Sequence, residues 1–156
     1  MLSDKPATGH ETEARLLHIL GEVRRRGHRV TPQRVAIIRN FLNRSDHPSA
    51  EGIYRALKPE FPMMALSTVY ATLKLLMEVG EAVDVAPAAE HARFDPVTGE
   101  HCHLICLRCG SIRDLPFCPG AGDPQTAEHV RAAGFVPTRE MHEVFGLCAV
   151  CRNGAS

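Results

Sequence analysis

The sequence has no run approaching the roughly 18 to 20 apolar residues that a membrane-spanning helix needs, and its start, Met1 to Glu13, lacks the basic-then-apolar layout of a signal peptide. These absences predict a cytoplasmic protein with no membrane partner. It carries no net charge either, with 18 Lys+Arg against 18 Asp+Glu. Taken alone, the zero net charge argues against a nucleic-acid binder. No internal repeat is visible, and no His-Glu-x2-His segment of the kind that places two imidazoles and a general base on one helix of a zinc hydrolase.

The charge that is present is unevenly placed. Residues 1–80 hold 12 Lys+Arg against 8 Asp+Glu, and residues 81–156 hold 6 against 10. A basic half beside an acidic half suggests one face for phosphates and another for cations or partners. At 156 residues the chain has room for one ordinary domain or two small ones, and small modules need help to stabilise a modest core. In a reducing compartment its six cysteines point to metal ligation rather than a disulfide framework.

Along the chain, Leu16, Leu17, Ile19, Leu20 and Val23 recur at helical spacing up to Gly27. Thr31-Pro32 reads as an N-cap and first-turn pair for a helix carrying Val35, Ile37, Ile38, Phe41 and Leu42. Ser49 caps a third helix through Ile53, Tyr54 and Leu57. Ser67 is expected to cap a fourth, with Val69, Tyr70, Leu73, Leu76 and Met77, stopped by Gly80. Ala82–Val85 and His91–Phe94 read as a hairpin, a wing behind the last helix. The expected fold class is α+β: a winged helix-turn-helix domain over 1–94 and an α+β dimerisation domain with structural zinc over 95–156. The second domain carries strands near 103–106, 111–115 and 141–145 and a helix over 123–133.

Cys106-x2-Cys109 and Cys148-x2-Cys151 are the most specific signal. Each pair can grip one side of a tetrahedral ion, and four soft thiolates close the coordination sphere, leaving no open position for substrate. Two such pairs are more than redox chemistry needs. His101-Cys102-His103 directly precedes them, and strand alternation points both imidazoles to one face. Asp95, Asp114 and, from the amino-terminal half, His47 are candidate companions. A nitrogen-and-oxygen set of this kind suits Fe²⁺, Mn²⁺ or Zn²⁺. A third signal is basic: Arg24-Arg25-Arg26, Arg29 and Arg34, with Ser67, Thr68, Tyr70 and Lys74 on the expected recognition helix. These residue types attract phosphates and touch base edges.

In this order the motifs resemble the ferric uptake regulator (Fur) family, and most closely its peroxide-sensing members. The carrying stretches are Arg29-Val30-Thr31-Pro32-Gln33-Arg34, His47-Pro48-Ser49-Ala50-Glu51, Ser67-Thr68-Val69-Tyr70 and His101-x-His103-Leu104-Ile105-Cys106-x2-Cys109-Gly110, closed by Cys148-x2-Cys151. The resemblance implies a homodimer that binds a double-stranded DNA operator, with structural zinc at the four cysteines. It also implies a regulatory ion, Fe²⁺ or Mn²⁺, held by His47, Asp95, His101, His103 and Asp114. Arg29 falls where the family places a basic residue at the minor groove, and Tyr70 where a recognition-helix tyrosine contacts bases. Ala71 departs from the larger polar residue often found there. A further family site falls on Glu100, Cys102 and Glu140, with the loop rebuilt around Cys118, and is not expected to form here. Cys102 and Cys118 stay open as zinc ligands, reactive thiols or packing residues.

Aspartate at both carboxylate positions and the Arg93-Phe94-Asp95 run favour a peroxide-responsive repressor in which iron-catalysed oxidation removes a histidine ligand. Iron-responsive and zinc-responsive repressors are the alternatives within the family. A zinc hydrolase using His101 and His103, and a structural zinc-binding interaction module, are the alternatives outside it.

Overall fold

The structure, a computed structural model, describes residues 9–85, 92–99, 101–116, 118, 122–137 and 140–154. Helices α1 (Gly9–Arg25), α2 (Pro32–Leu42), α3 (Ala50–Leu57) and α4 (Leu66–Glu78) come first. Thr31 Oγ1 accepts from the Arg34 amide at 3.2 Å at the start of α2, and Ser49 Oγ accepts from the Gly52 amide at 3.1 Å at the start of α3. Each cap satisfies a first-turn N–H that has no partner inside its helix.

Ser67 does not cap α4. The Thr68 amide already bonds to the Ala65 carbonyl at 3.0 Å, so Ala65 is the N-cap and Ser67 stands inside the first turn. At the far end Gly80 adopts φ +79°, donates to Met77 O, and lets the Glu81 amide reach Leu76 O at 2.8 Å. This closing pattern needs a left-handed residue, which glycine adopts without a Cβ penalty.

One core joins the four helices. Leu16, Ile19, Leu20 and Val23 of α1 pack with Ile37, Ile38 and Phe41 of α2, Ile53 of α3, and Val69, Leu73 and Leu76 of α4. Two residues expected on apolar stripes lie elsewhere: Leu17 is 62% exposed and Tyr70 41%. Each follows a core residue directly, and one helical step turns it off the buried face. Behind α4 an antiparallel hairpin pairs β1 (Val83–Val85) with β2 (Arg93–Asp95), bringing Phe94 into the core. Helix-turn-helix plus hairpin is a winged helix. His91, expected in the second wing strand, lies outside the described residues, as does Glu100. Arg15 ties this assembly together: Nε donates to Glu81 at 2.8 Å and Nη2 to the Pro96 carbonyl at 2.7 Å.

The chain divides into two compact units, Met1–Thr98 and Gly99–Ser156. The second contains β3 (Cys102–Cys106), β4 (Ile112–Leu115), α5 (Pro124–Ala132), β5 (His142–Gly146) and α6 (Ala149–Asn153). Its sheet runs β4-β3-β5, with β3 antiparallel to β4 and parallel to β5. Asp123 caps α5, accepting from the Thr126 amide at 3.1 Å. Sequence patterning missed α6, since five residues are too few to show a helical period. Buried apolar side chains are sparse here: among the described residues only Cys102, Ile105, Cys106 and Cys118. No described helix is long and apolar enough to cross a membrane.

Candidate metal centres and nucleic-acid interface

Parallel pairing of β3 with β5 brings the two cysteine pairs together. Cys106 ends β3 opposite Gly146 of β5, and Cys148 lies two residues beyond. The turn after Cys106 is held by Gly110 N to Cys106 O at 2.9 Å and by Leu107 N to Gly146 O at 2.8 Å, with Gly110 at φ +66°. One sulfur from each of Cys106, Cys109, Cys148 and Cys151 then lies within 4.8 Å of the others. The Cys109 and Cys148 sulfurs are 3.8 Å apart, and a tetrahedral ion with metal–sulfur bonds of about 2.3 Å sets its ligands about 3.8 Å apart. The donors therefore fit a tetrahedral, thiolate-preferring metal.

Backbone amides prepare these thiols. The Cys148 amide donates to Cys106 Sγ at 3.3 Å, and with the Cys109 and Arg108 amides it brings the Cys106 thiol down to about 6. The Ser111 hydroxyl, 3.2 Å away, lowers Cys109. Cys151 is pushed up to about 12, chiefly by its contact with the Cys148 thiol. Without a metal, the tetrad thus favours thiolate at Cys106 and keeps a proton at Cys151. A divalent ion reverses the second preference, because every ligand must be deprotonated.

On the opposite face of β3, the Nε2 atoms of His101 and His103 lie 2.9 Å apart, and Asp114 Oδ1 of β4 is 3.9 and 3.8 Å from them. His103 pairs with Asp114 in the register of the sheet, so the strands themselves set this convergence. Two imidazoles about 2.1 Å from one ion, at a right angle, stand about 3.0 Å apart. The pair fits, with Asp114 standing wider of both imidazoles than a right angle at the ion would set it.

In the first unit, His47 and Asp95 are 3% and 2% exposed, with His47 Nε2 3.7 Å from Asp95 Oδ2. They meet because the Phe94 amide bonds to the Pro48 carbonyl at 3.1 Å, fastening β2 to the loop before α3. Asp95 is oriented by the Val97 amide, which donates to its Oδ1 at 2.8 Å. His47 has φ 48°, a left-handed conformation that is uncommon for a side-chain-bearing residue and concentrates at functional positions. A buried histidine facing a buried carboxylate is a nitrogen-and-oxygen donor pair of the kind that suits a first-row divalent cation.

The basic signal falls on three places. Arg29 is exposed in the α1–α2 loop, and the Arg34 guanidinium, in the first turn of α2, donates to the Arg29 carbonyl. Ser67, Tyr70, Ala71 and Lys74 form one exposed face of α4, while Thr68 is half-buried. Tyr70 donates its hydroxyl proton to Glu51 of α3 at 2.6 Å, a contact no motif announces. Cys102 and Cys118 are buried, and Glu140 stands 3.7 Å from His142.

Residues 25–135 match the model of the ferric uptake regulator family. The chain belongs to the ferric uptake regulator family. It is 38% identical to the peroxide operon regulator of Bacillus subtilis, over 87% of this chain and 92% of that one. With the peroxide-responsive repressor PerR of Staphylococcus epidermidis it shares 33% identity, over 97% of each. The ferric uptake regulator structure from Helicobacter pylori shares the fold, with a TM-score of 0.76 at 21% identity, covering 93% of this chain and 96% of that one. Family membership makes the protein a metal-dependent transcriptional repressor and not an enzyme.

Proposed function

We propose that the protein is a peroxide-responsive repressor: a homodimer that binds a double-stranded DNA operator while a regulatory ion is in place and releases it after oxidation. The observation that carries this reading is the nitrogen-and-oxygen set of His101, His103 and Asp114, separate from a thiolate tetrad that is already complete. The winged-helix part, expected over 1–94, reads DNA, and the part expected over 95–156 dimerises and binds metal. Cys106, Cys109, Cys148 and Cys151 hold structural Zn²⁺. His47 and Asp95 together with His101, His103 and Asp114 hold Fe²⁺ or Mn²⁺, with Zn²⁺ able to occupy the same donors.

Ligands drawn from both parts of the chain couple metal occupancy to the angle between the two readers of a dimer. Only one angle suits two half-sites, so the ion must bind that arrangement more tightly than the other. Fe²⁺, when bound, supplies the electrons that reduce hydrogen peroxide and yields an oxidant able to attack an imidazole of His47 or His101. His47, once oxidised, no longer donates, and the arrangement relaxes. For DNA, Arg29 and Arg34 reach phosphates or the minor groove, and Ser67, Thr68, Tyr70 and Lys74 lie along the major groove. Dimerisation is supported by β5, an edge strand of the described sheet with Val144 and Phe145 about half exposed. A protein working on DNA with free thiols suits the cytoplasm.

The relatives in Bacillus and Staphylococcus support the peroxide assignment, as do the aspartates at positions 95 and 114. The test is operator affinity of Fe²⁺-loaded and Mn²⁺-loaded protein before and after stoichiometric peroxide, with mass spectrometry of His47 and His101. Loss of binding and a one-oxygen gain only in the iron form are expected. Retained affinity with unmodified histidines refutes the peroxide reading. A response to Fe²⁺ alone, or to Zn²⁺ alone, would assign iron or zinc sensing instead.

A further inference from the structure

Glu51 stands in the first turn of α3, and Tyr70 on the exposed face of α4. The 2.6 Å between Tyr70 Oη and Glu51 Oε1 is the length of a charge-assisted bond from a hydroxyl to a carboxylate. That contact raises Tyr70 above the ordinary phenol value, so the hydroxyl keeps its proton and directs it at Glu51. A phenol has one proton to donate and a lone pair with which to accept. With the proton committed, Tyr70 offers its surroundings only an acceptor and the face of its ring.

Base edges in the major groove distinguish these cases. Adenine N6 and cytosine N4 present amino donors, whereas guanine O6 and N7, thymine O4 and the phosphate oxygens all accept. An acceptor hydroxyl complements the first group and is mismatched to the second, and the Glu51 carboxylate repels phosphate oxygens as well. Ala71, beside Tyr70, brings no polar group that would alter the choice. One turn along, the Lys74 ammonium can only donate.

We propose that Glu51 is a specificity-determining positioning residue: it fixes the Tyr70 hydroxyl as an acceptor, so that α4 selects a base presenting an amino group, adenine or cytosine. This rests on the reading that α4 enters DNA. It adds that the polarity of the Tyr70 contact is set from the neighbouring helix.

The test uses full-length, Mn²⁺-loaded protein selecting from a randomised duplex library, followed by affinities for the selected duplex and its one-base variants. Wild type should prefer adenine or cytosine at one position of each half-site by about five- to tenfold, the worth of a single hydrogen bond. Tyr70→Phe should lose that preference. Glu51→Ala frees the proton and should abolish the preference or turn it toward guanine or thymine, leaving the other positions unchanged. Glu51→Gln removes the charge but keeps a carbonyl that accepts from Tyr70, so it should retain the wild-type preference. A merely structural role for Glu51 would weaken all duplexes alike. The proposal is overturned if Glu51→Ala keeps the wild-type preference, or if Glu51→Ala and Glu51→Gln lose it equally. If wild type enriches no sequence, the reading that α4 enters DNA fails; if it enriches sequences whose variants ignore Tyr70→Phe, only this proposal does.

Discussion

Replacing Cys148 with serine removes one of four thiolates and, with it, the sulfur that stands 3.8 Å from Cys109. Structural zinc binding is worth about 10–16 kcal/mol at neutral pH. One donor in four is then worth about 3 kcal/mol, roughly a hundredfold in affinity. The loss is large for this part of the chain. The second unit buries only Cys102, Ile105, Cys106 and Cys118 among its described apolar side chains, and fully burying an aliphatic such as Ile105 contributes about 1.5–3 kcal/mol. Against zinc that is little. The first unit has its own continuous core around Phe41, Ile53, Leu73 and Leu76. Chelating the metal should therefore abolish hydrogen-exchange protection in β3 and β5, and Cys148→Ser should lower it by up to about a hundredfold, while α2, α3 and α4 stay protected. Zinc content is measured on the same samples. The reasoning is wrong if metal-free protein keeps slow exchange over 102–106 and 142–146, or if both units lose protection together.

His47→Ala removes a donor from the proposed regulatory set but none from the cysteine tetrad. Mn²⁺ affinity should fall by about tenfold or more with zinc content unchanged, as read by calorimetry and elemental analysis; joint loss of both metals would argue against two independent sites. Zinc retention should also depend on pH. In the metal-free tetrad Cys106 is lowered to about 6, so protons compete with zinc for it only below that value, whereas Cys151 must give up a proton at any lower pH; zinc affinity should therefore fall as pH falls, and more steeply below about 6. Cys151, held near 12, releases its proton when zinc loads, so loading at pH 7.5 should acidify a weakly buffered solution. A dye assay showing equal zinc release from pH 8 to 5 would contradict this. Ile53→Ala, at a site with no exposure, should cost about 2–5 kcal/mol and depress the melting of the first unit. Leu17→Ala, at a 62% exposed site, should leave it nearly unchanged, and equal effects in a thermal melt would refute the packing described.

Much of the fold was legible because its causes are local. Thr31-Pro32 and Ser49 start helices through hydrogen bonds made within three residues, and the apolar spacing of α1 to α4 states which face is buried. The errors were local as well. Ser67 is a good cap residue two positions too late, and Leu17 and Tyr70 are apolar or aromatic residues one step off their stripes. Residue type suggested burial there, and helix phase decided against it.

The sequence by itself determined the chemistry: which side chains can be thiolate, imidazole or carboxylate donors, and that Cys-x2-Cys and His-x-His hold theirs on one turn or one strand face. Tertiary structure decided which of them meet. Cys148 reaches Cys106 because β5 runs parallel beside β3, across a separation of 42 positions. Asp95 faces His47 because one backbone hydrogen bond joins Phe94 to Pro48. Glu51 reaches Tyr70 only because α3 packs on α4. Local pattern carries no information about such pairings, since they are set by strand register and helix packing between distant segments.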